Sequence, residues 1–126
     1  MDDSNCIMLL SASFSKQLIW YEELSRIVQK TLSQLLLSRG DVTSVMASVL
    51  EKRRIVDMIA EEREKIKETA DLYKQRKDHM ESSLSKNDLD CLLAKSESVI
   101  KEFLEGEEQL KRYLEFIMEK GESVTK

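Results

Sequence analysis

The sequence has no proline, three glycines, one histidine, two cysteines and one tryptophan, and aromatic residues make up 6% of its 126 positions. A chain so poor in turn residues does not suit a multi-stranded β fold, which needs them roughly every 8–12 positions. His79 with only the distant Cys6 and Cys91 cannot build a zinc site, and the two cysteines suit reduced thiols better than a disulfide framework. Gly40, Gly106 and Gly121 stand alone, so no glycine-rich phosphate loop exists, and no nucleophile–base pair can be identified around the single histidine. No run approaches the ~20 apolar residues of a membrane span. The apolar stretch Cys6–Leu10 follows Asp2 and Asp3, the wrong charge for a signal peptide. These absences predict a cytoplasmic protein with no membrane insertion, no metal or other cofactor and no catalytic site.

Charge is what the chain has in quantity. Charged residues make up 35% and hydrophobic ones 41%, a combination typical of long amphipathic helices rather than of disorder. The net charge of −4 resides in the last third, where residues 87–126 carry ten acids against six bases and the remainder of the chain balances. Basic clusters at Lys52-Arg53-Arg54 and Lys74-Gln75-Arg76-Lys77 are interleaved with acids, and the sequence pI is near 5.2. A phosphate-binding surface needs net positive charge to release counterions, so nucleic acid is not the expected partner.

Two breaks divide the sequence. Ser38-Arg39-Gly40-Asp41 combines a glycine suited to a left-handed helix stop with an aspartate suited to an N-cap. The polar cluster 82–88 offers Ser85 or Asn87 as the next cap. Between the breaks the apolar residues recur at three- and four-residue steps: Ile7, Leu10, Phe14, Tyr21, Leu24, Val28, Leu35; then Val42, Val45, Val49, Val56, Ile59, Ile66, Tyr73; then Leu89, Leu93, Ile100, Phe103, Leu110. The pattern predicts an all-α fold, a single domain over residues 1–126, with helices at about 5–38, 42–82 and 88–120 and a frayed tail at 121–126. The short joint at Gly40-Asp41 folds the first two helices back on each other, and the spacing favours crossing angles near 20°, hence an elongated antiparallel three-helix bundle with coiled-coil character.

Three features stand out against that background. Lys52, Arg63 and Lys77 interrupt the apolar seam of the second helix and are expected to snorkel or to pair with acids on a neighbour. Glu61-Glu62-Arg63-Glu64 places carboxylates one turn apart without the Glu-x-x-His motif of a di-metal bundle, so Glu61–Lys65 and Lys77–Glu81 read as surface pairs. Gly106 lies inside the third helical pattern, where glycine costs about 1 kcal/mol relative to alanine. Beyond it, Leu110, Tyr113, Leu114, Phe116, Ile117 and Met118 cover more than one face, as a segment able to bind another helix would.

The small acidic chain resembles the FlgN family of flagellar export chaperones and, more loosely, the FliT-type chaperones. The resemblance is carried by the long first helix running through Tyr21-Glu22-Glu23-Leu24 to Leu35-Leu36-Leu37, the Gly40-Asp41 break, and the stretch Leu50-Glu51-Lys52-Arg53-Arg54-Ile55-Val56-Asp57-Met58-Ile59. It implies a cytoplasmic type III export chaperone that keeps the terminal segment of a hook–filament junction protein from assembling prematurely and delivers it to an export-gate component. It also implies client contact in the C-terminal part, at Leu110, Tyr113, Leu114, Ile117 and Met118. The alternative function is a structural coiled-coil scaffold or tether subunit acting by homo-oligomerisation, and a homodimer is compatible with either.

Overall fold

In a computed structural model, which describes residues 2–43 and 45–125 with side chains as far as Lys120, the chain is an all-α three-helix bundle. Helix α1 spans Asp3–Leu37, α2 spans Val45–Arg76 and continues into a 3₁₀ turn at Lys77–His79, and α3 spans Leu84–Thr125. At 1.5 Å per residue the three are about 52, 48 and 63 Å long.

Local chemistry sets the ends, in places differently from expectation. The Asp2 carboxylate accepts a 2.7 Å bond from the Asn5 amide and starts α1 earlier than the apolar periodicity alone predicts. At its other end α1 stops through two left-handed residues, Arg39 at φ +58° and Gly40 at φ +98°, with the Gly40 amide bonded 2.9 Å to the Leu35 carbonyl. Contrary to expectation, Asp41 does not cap α2; its Oδ1 accepts from the Thr43 amide at 3.0 Å and shapes the connection instead. Neither Ser85 nor Asn87 caps α3. Ser83 does, its Oγ accepting from the Lys86 amide at 3.1 Å. The expected stop at Gly121 is also absent, since α3 continues to Thr125.

The bundle is built on α1. Both other helices pack along it, whereas no Cα of α2 comes within 8 Å of one of α3 among the described residues. Three apolar clusters follow one another along the axis. Cys6, Leu10, Ile66, Tyr73, Met80 and Leu89 form one end; Tyr21, Leu24, Ile27, Ile55 and Ile59 the middle; Val28, Leu35 and Leu110 the other end. Trp20 packs on the middle cluster.

The predicted core of α1 is the observed one, but the seam of α2 is rotated. Ile55, Ile59, Ile66 and Tyr73 face the core, while Val49 and Val56, also expected inside, are exposed, and Val42 lies exposed in the connection before α2. A polar set explains the rotation. Ser13 Oγ of α1 donates to Glu62 Oε1 at 2.9 Å and accepts from Gln17, and Thr31 Oγ1 lies 2.7 Å from Ser48 Oγ. These bonds place positions 48 and 62 of α2 against α1, which turns Val49 and Val56 to the flank. Glu62, not Glu61, is the carboxylate used.

Gly106 lies on the face of α3 that packs tightly against α1. The helix is unbroken there, and a Cβ added at Gly106 would stand 3.0 Å from Val28 Cγ1 and 3.0 Å from Gln29 Nε2. The helix-propensity cost of glycine is therefore offset by the tight approach of α3 to a fully buried valine. Gly106→Val is expected to destabilise the fold by about 1–3 kcal/mol through overpacking. Combining Gly106→Ala with Val28→Ala should recover stability relative to the sum of the two single changes, by about 0.5 kcal/mol or more. Denaturant titration of the four proteins measures both effects, and strict additivity would mean that the two positions do not touch.

Candidate partner-binding surface

Of the five C-terminal residues assigned to client contact, the fold uses four against itself. Leu110 is buried at 4% exposure in the cluster with Val28 and Leu35, and Tyr113 and Leu114 pack on that cluster half-buried. Ile117 is half-buried and lies over the α1–α2 turn, with its side chain 3.4 Å from the position a Cβ would occupy at Gly40. Met118 is exposed at 65%. Sequence periodicity alone could not separate the anchoring positions from the free one, because all five fall within one broad apolar stripe.

Phe116, which the sequence placed in the same segment without assigning it a contact, is exposed. Its ring stacks on Tyr113 with centroids 6.4 Å apart, and Lys120 Nζ sits 5.7 Å from the Phe116 centroid. Positions 116 and 118 are about 200° apart on a helix. The last turns of α3 thus present an aromatic flank on one side and a methionine on the other, with the α1-facing side occupied.

The interrupting cations of α2 resolve individually. Lys52 Nζ bonds Glu107 Oε1 across to α3 at 2.8 Å and is nearly buried, so it pairs with an acid on a neighbouring helix as expected. Arg63 is exposed and lines a cleft between α2 and α3, while Lys77 is exposed in the 3₁₀ turn. The basic clusters are dispersed in the same way. Arg76 pairs with Asp3 at 2.9 Å and Arg54 leans on Met58, so neither run forms a continuous basic face.

That cleft holds about 380 Å³, with Tyr21 and Leu24 as floor, Val56, Ala60 and Arg63 as one wall and Ile100 and Leu104 as the other. Two cross-links bound it along the axis. One is Lys52–Glu107; the other is the Tyr73 hydroxyl, which donates to Asp90 Oδ1 at 2.7 Å. Burial, then the Asp90 hydrogen bond, pushes the Tyr73 phenol up to about 12. Burial, followed by the Asp3 charge, likewise raises the Cys6 thiol, whose Sγ lies 3.6 Å from the Thr69 carbonyl; Cys91 is free and exposed. Backbone and side-chain hydrogen bonds from Thr43 lower the Asp41 carboxyl. Among the described residues no group of three or more His, Cys, Asp or Glu side chains gathers to hold a metal ion, and no helix is long and apolar enough to cross a membrane.

No family model, no curated protein and no solved structure matches this chain.

The raised Tyr73 phenol has a consequence for stability. An acid whose folded pKa lies above its unfolded value, about 10 for tyrosine, stabilises the fold fully below pH 10, and that contribution is lost between pH 10 and about 12. Tyr73→Phe should cost about 0.5–1.5 kcal/mol at neutral pH and should flatten the fall in melting temperature over that alkaline window. Thermal melts of both proteins at neutral pH and across the window check this. Parallel alkaline slopes would show that the Tyr73–Asp90 link does not govern the response.

Proposed function

We propose that this chain is a helical export chaperone of the FlgN type, acting in the cytoplasm. It holds an amphipathic terminal helix of a secreted filament-type subunit, a hook–filament junction protein in the first instance, until that client reaches the export gate. The observation that carries this reading is the one-sided packing of the last turns of α3. Leu110 anchors them to α1, and the flanks bearing Phe116 and Met118 carry large apolar groups in contact with water.

The physics suits a temporary partner. Filament subunits polymerise through apolar stripes on terminal helices, and a helix laid along such a stripe masks it by the same side-chain interlocking that builds a coiled coil. Tyr113, Leu114 and Ile117 are half-buried. A client helix seated on either flank extends their burial without displacing Leu110. Methionine and stacked aromatics adapt to clients of differing sequence. The ten acids against six bases of residues 87–126 favour a client segment with basic positions beside its apolar stripe.

Phe116→Glu and Met118→Glu, made separately, test both the site and the flank. Because the two side chains are exposed, each variant is expected to keep the thermal unfolding of the parent within a few degrees. One of them is expected to weaken binding of a purified hook–filament junction protein by about tenfold or more in isothermal titration calorimetry, as loss of a central apolar anchor does. Unchanged binding in both would remove the end of α3 as the site. Absence of any heat with the parent chain would remove the client class.

A further inference from the structure

The cleft between α2 and α3 lies apart from the end of α3 and has its own character. It adjoins a shallow concavity of about 420 Å³ along the outer face of α3, and the two share Ile100 and Leu104. Val56 on one wall and Leu104 on the other are exposed at 45% and 58%. The charges beside these apolar groups are mainly basic on α2, where Glu64 is the exception, and mainly acidic on α3. Arg53, Arg63 and Lys67 flank the stripe on α2, at helical spacing from Val56 and Ala60. On α3 the border is formed by Glu97, Glu105 and Glu108 with Lys101.

We propose that this cleft is a self-association surface, occupied by a second copy of the chain in an isologous dimer whose two-fold axis runs parallel to the helices. The Lys52–Glu107 and Tyr73–Asp90 links fix α2 and α3 antiparallel, with the stretch from 52 to 73 on α2 running alongside the stretch from 107 back to 90 on α3. That register sets Val56 level with Leu104 and Arg63 beside the height of Glu97, with Arg53 within one turn of Glu108. A two-fold axis along the helices keeps every height unchanged and lays α2 of one copy over α3 of the other. Val56 then meets Leu104 of the partner subunit, and Arg63 meets Glu97 of the partner subunit. Symmetry makes each contact twice.

An axis across the helices would instead lay α2 on α2 and α3 on α3, setting basic flank on basic and acidic on acidic, so charge selects the first arrangement. The groups it needs are free to respond. Arg63 and Glu97 form no ion pair within the chain among the described residues, and Glu108 is engaged only by Arg112, an exposed neighbour one turn along its own helix. This inference is independent of the client reading, because neither the surface nor its test involves a client.

Sedimentation equilibrium across the micromolar range is expected to give a species of twice the 14.6 kDa chain mass. Leu104→Arg should convert it to monomer with unchanged far-UV circular dichroism, since that side chain projects from the fold. Arg63→Glu and Glu97→Arg should each weaken the dimer by about tenfold, each breaking two symmetry-related pairs, and the double variant should restore it. A monomer at every concentration overturns the proposal, and so does a dimer that survives Leu104→Arg. A double variant no tighter than the singles overturns the laying of α2 over the partner's α3.

Discussion

Burial of α1 on two sides is the constraint on which this structure depends. Leu10, Leu24, Val28, Thr31 and Leu35 are all at 1% exposure or less, a degree of enclosure that neither α2 nor α3 could supply alone. Two helices packed on one, without close backbone contact between them, leave their facing flanks to be joined by long side chains. Lys52 to Glu107 and Tyr73 to Asp90 do that work at two heights. The cleft is what remains between them. Its apolar lining follows from the same cause: α1 takes one stripe of α2 and of α3 and leaves the neighbouring stripe outside.

The three-helix architecture was legible because it rests on a redundant signal, dozens of apolar residues at helical spacing over three long segments. What periodicity could not settle was rotation. On α2 two overlapping stripes were available, one through Val49 and Val56 and one through Ile55 and Ile59. The choice fell to Ser13–Glu62 and Thr31–Ser48, polar contacts between helices that no single-helix pattern contains. The ends show the same division. A break at Gly40 was evident from composition, whereas Asp41, an equally good cap by type, spends its carboxylate on Thr43. Ser83, Ser85 and Asn87 share the same capping chemistry, and only the path of the chain selects Ser83.

Gly106 illustrates how a local penalty can carry tertiary information. In isolation it reads as a weak point or a kink. Against Val28 it is the position where a side chain would not fit without movement, and it brings the two longest helices together. The candidate contact residues divide on a related principle. Leu110 falls four residues after Gly106, on the same side of the helix, and is drawn into the core with it. Phe116 and Met118 lie beyond the point where α1 ends in its left-handed turn, so α3 has less to pack on there. The cytoplasmic chaperone reading draws on that outer part, and the self-association reading on the middle; the two surfaces do not overlap.

The location of the single tryptophan gives the molecule an unequal optical response. Trp20 packs on the cluster of Tyr21, Leu24, Ile27, Ile55 and Ile59, the middle of three strung along a rod-like bundle. Its emission therefore reports the central cluster alone. Loosening of the last turns of α3, far along the axis, leaves that environment intact while removing helical peptide groups from the far-ultraviolet signal. Fluorescence and circular dichroism are thus spatially resolved probes of this chain. The separation between their transitions is a direct gauge of how independently its C-terminal end can open.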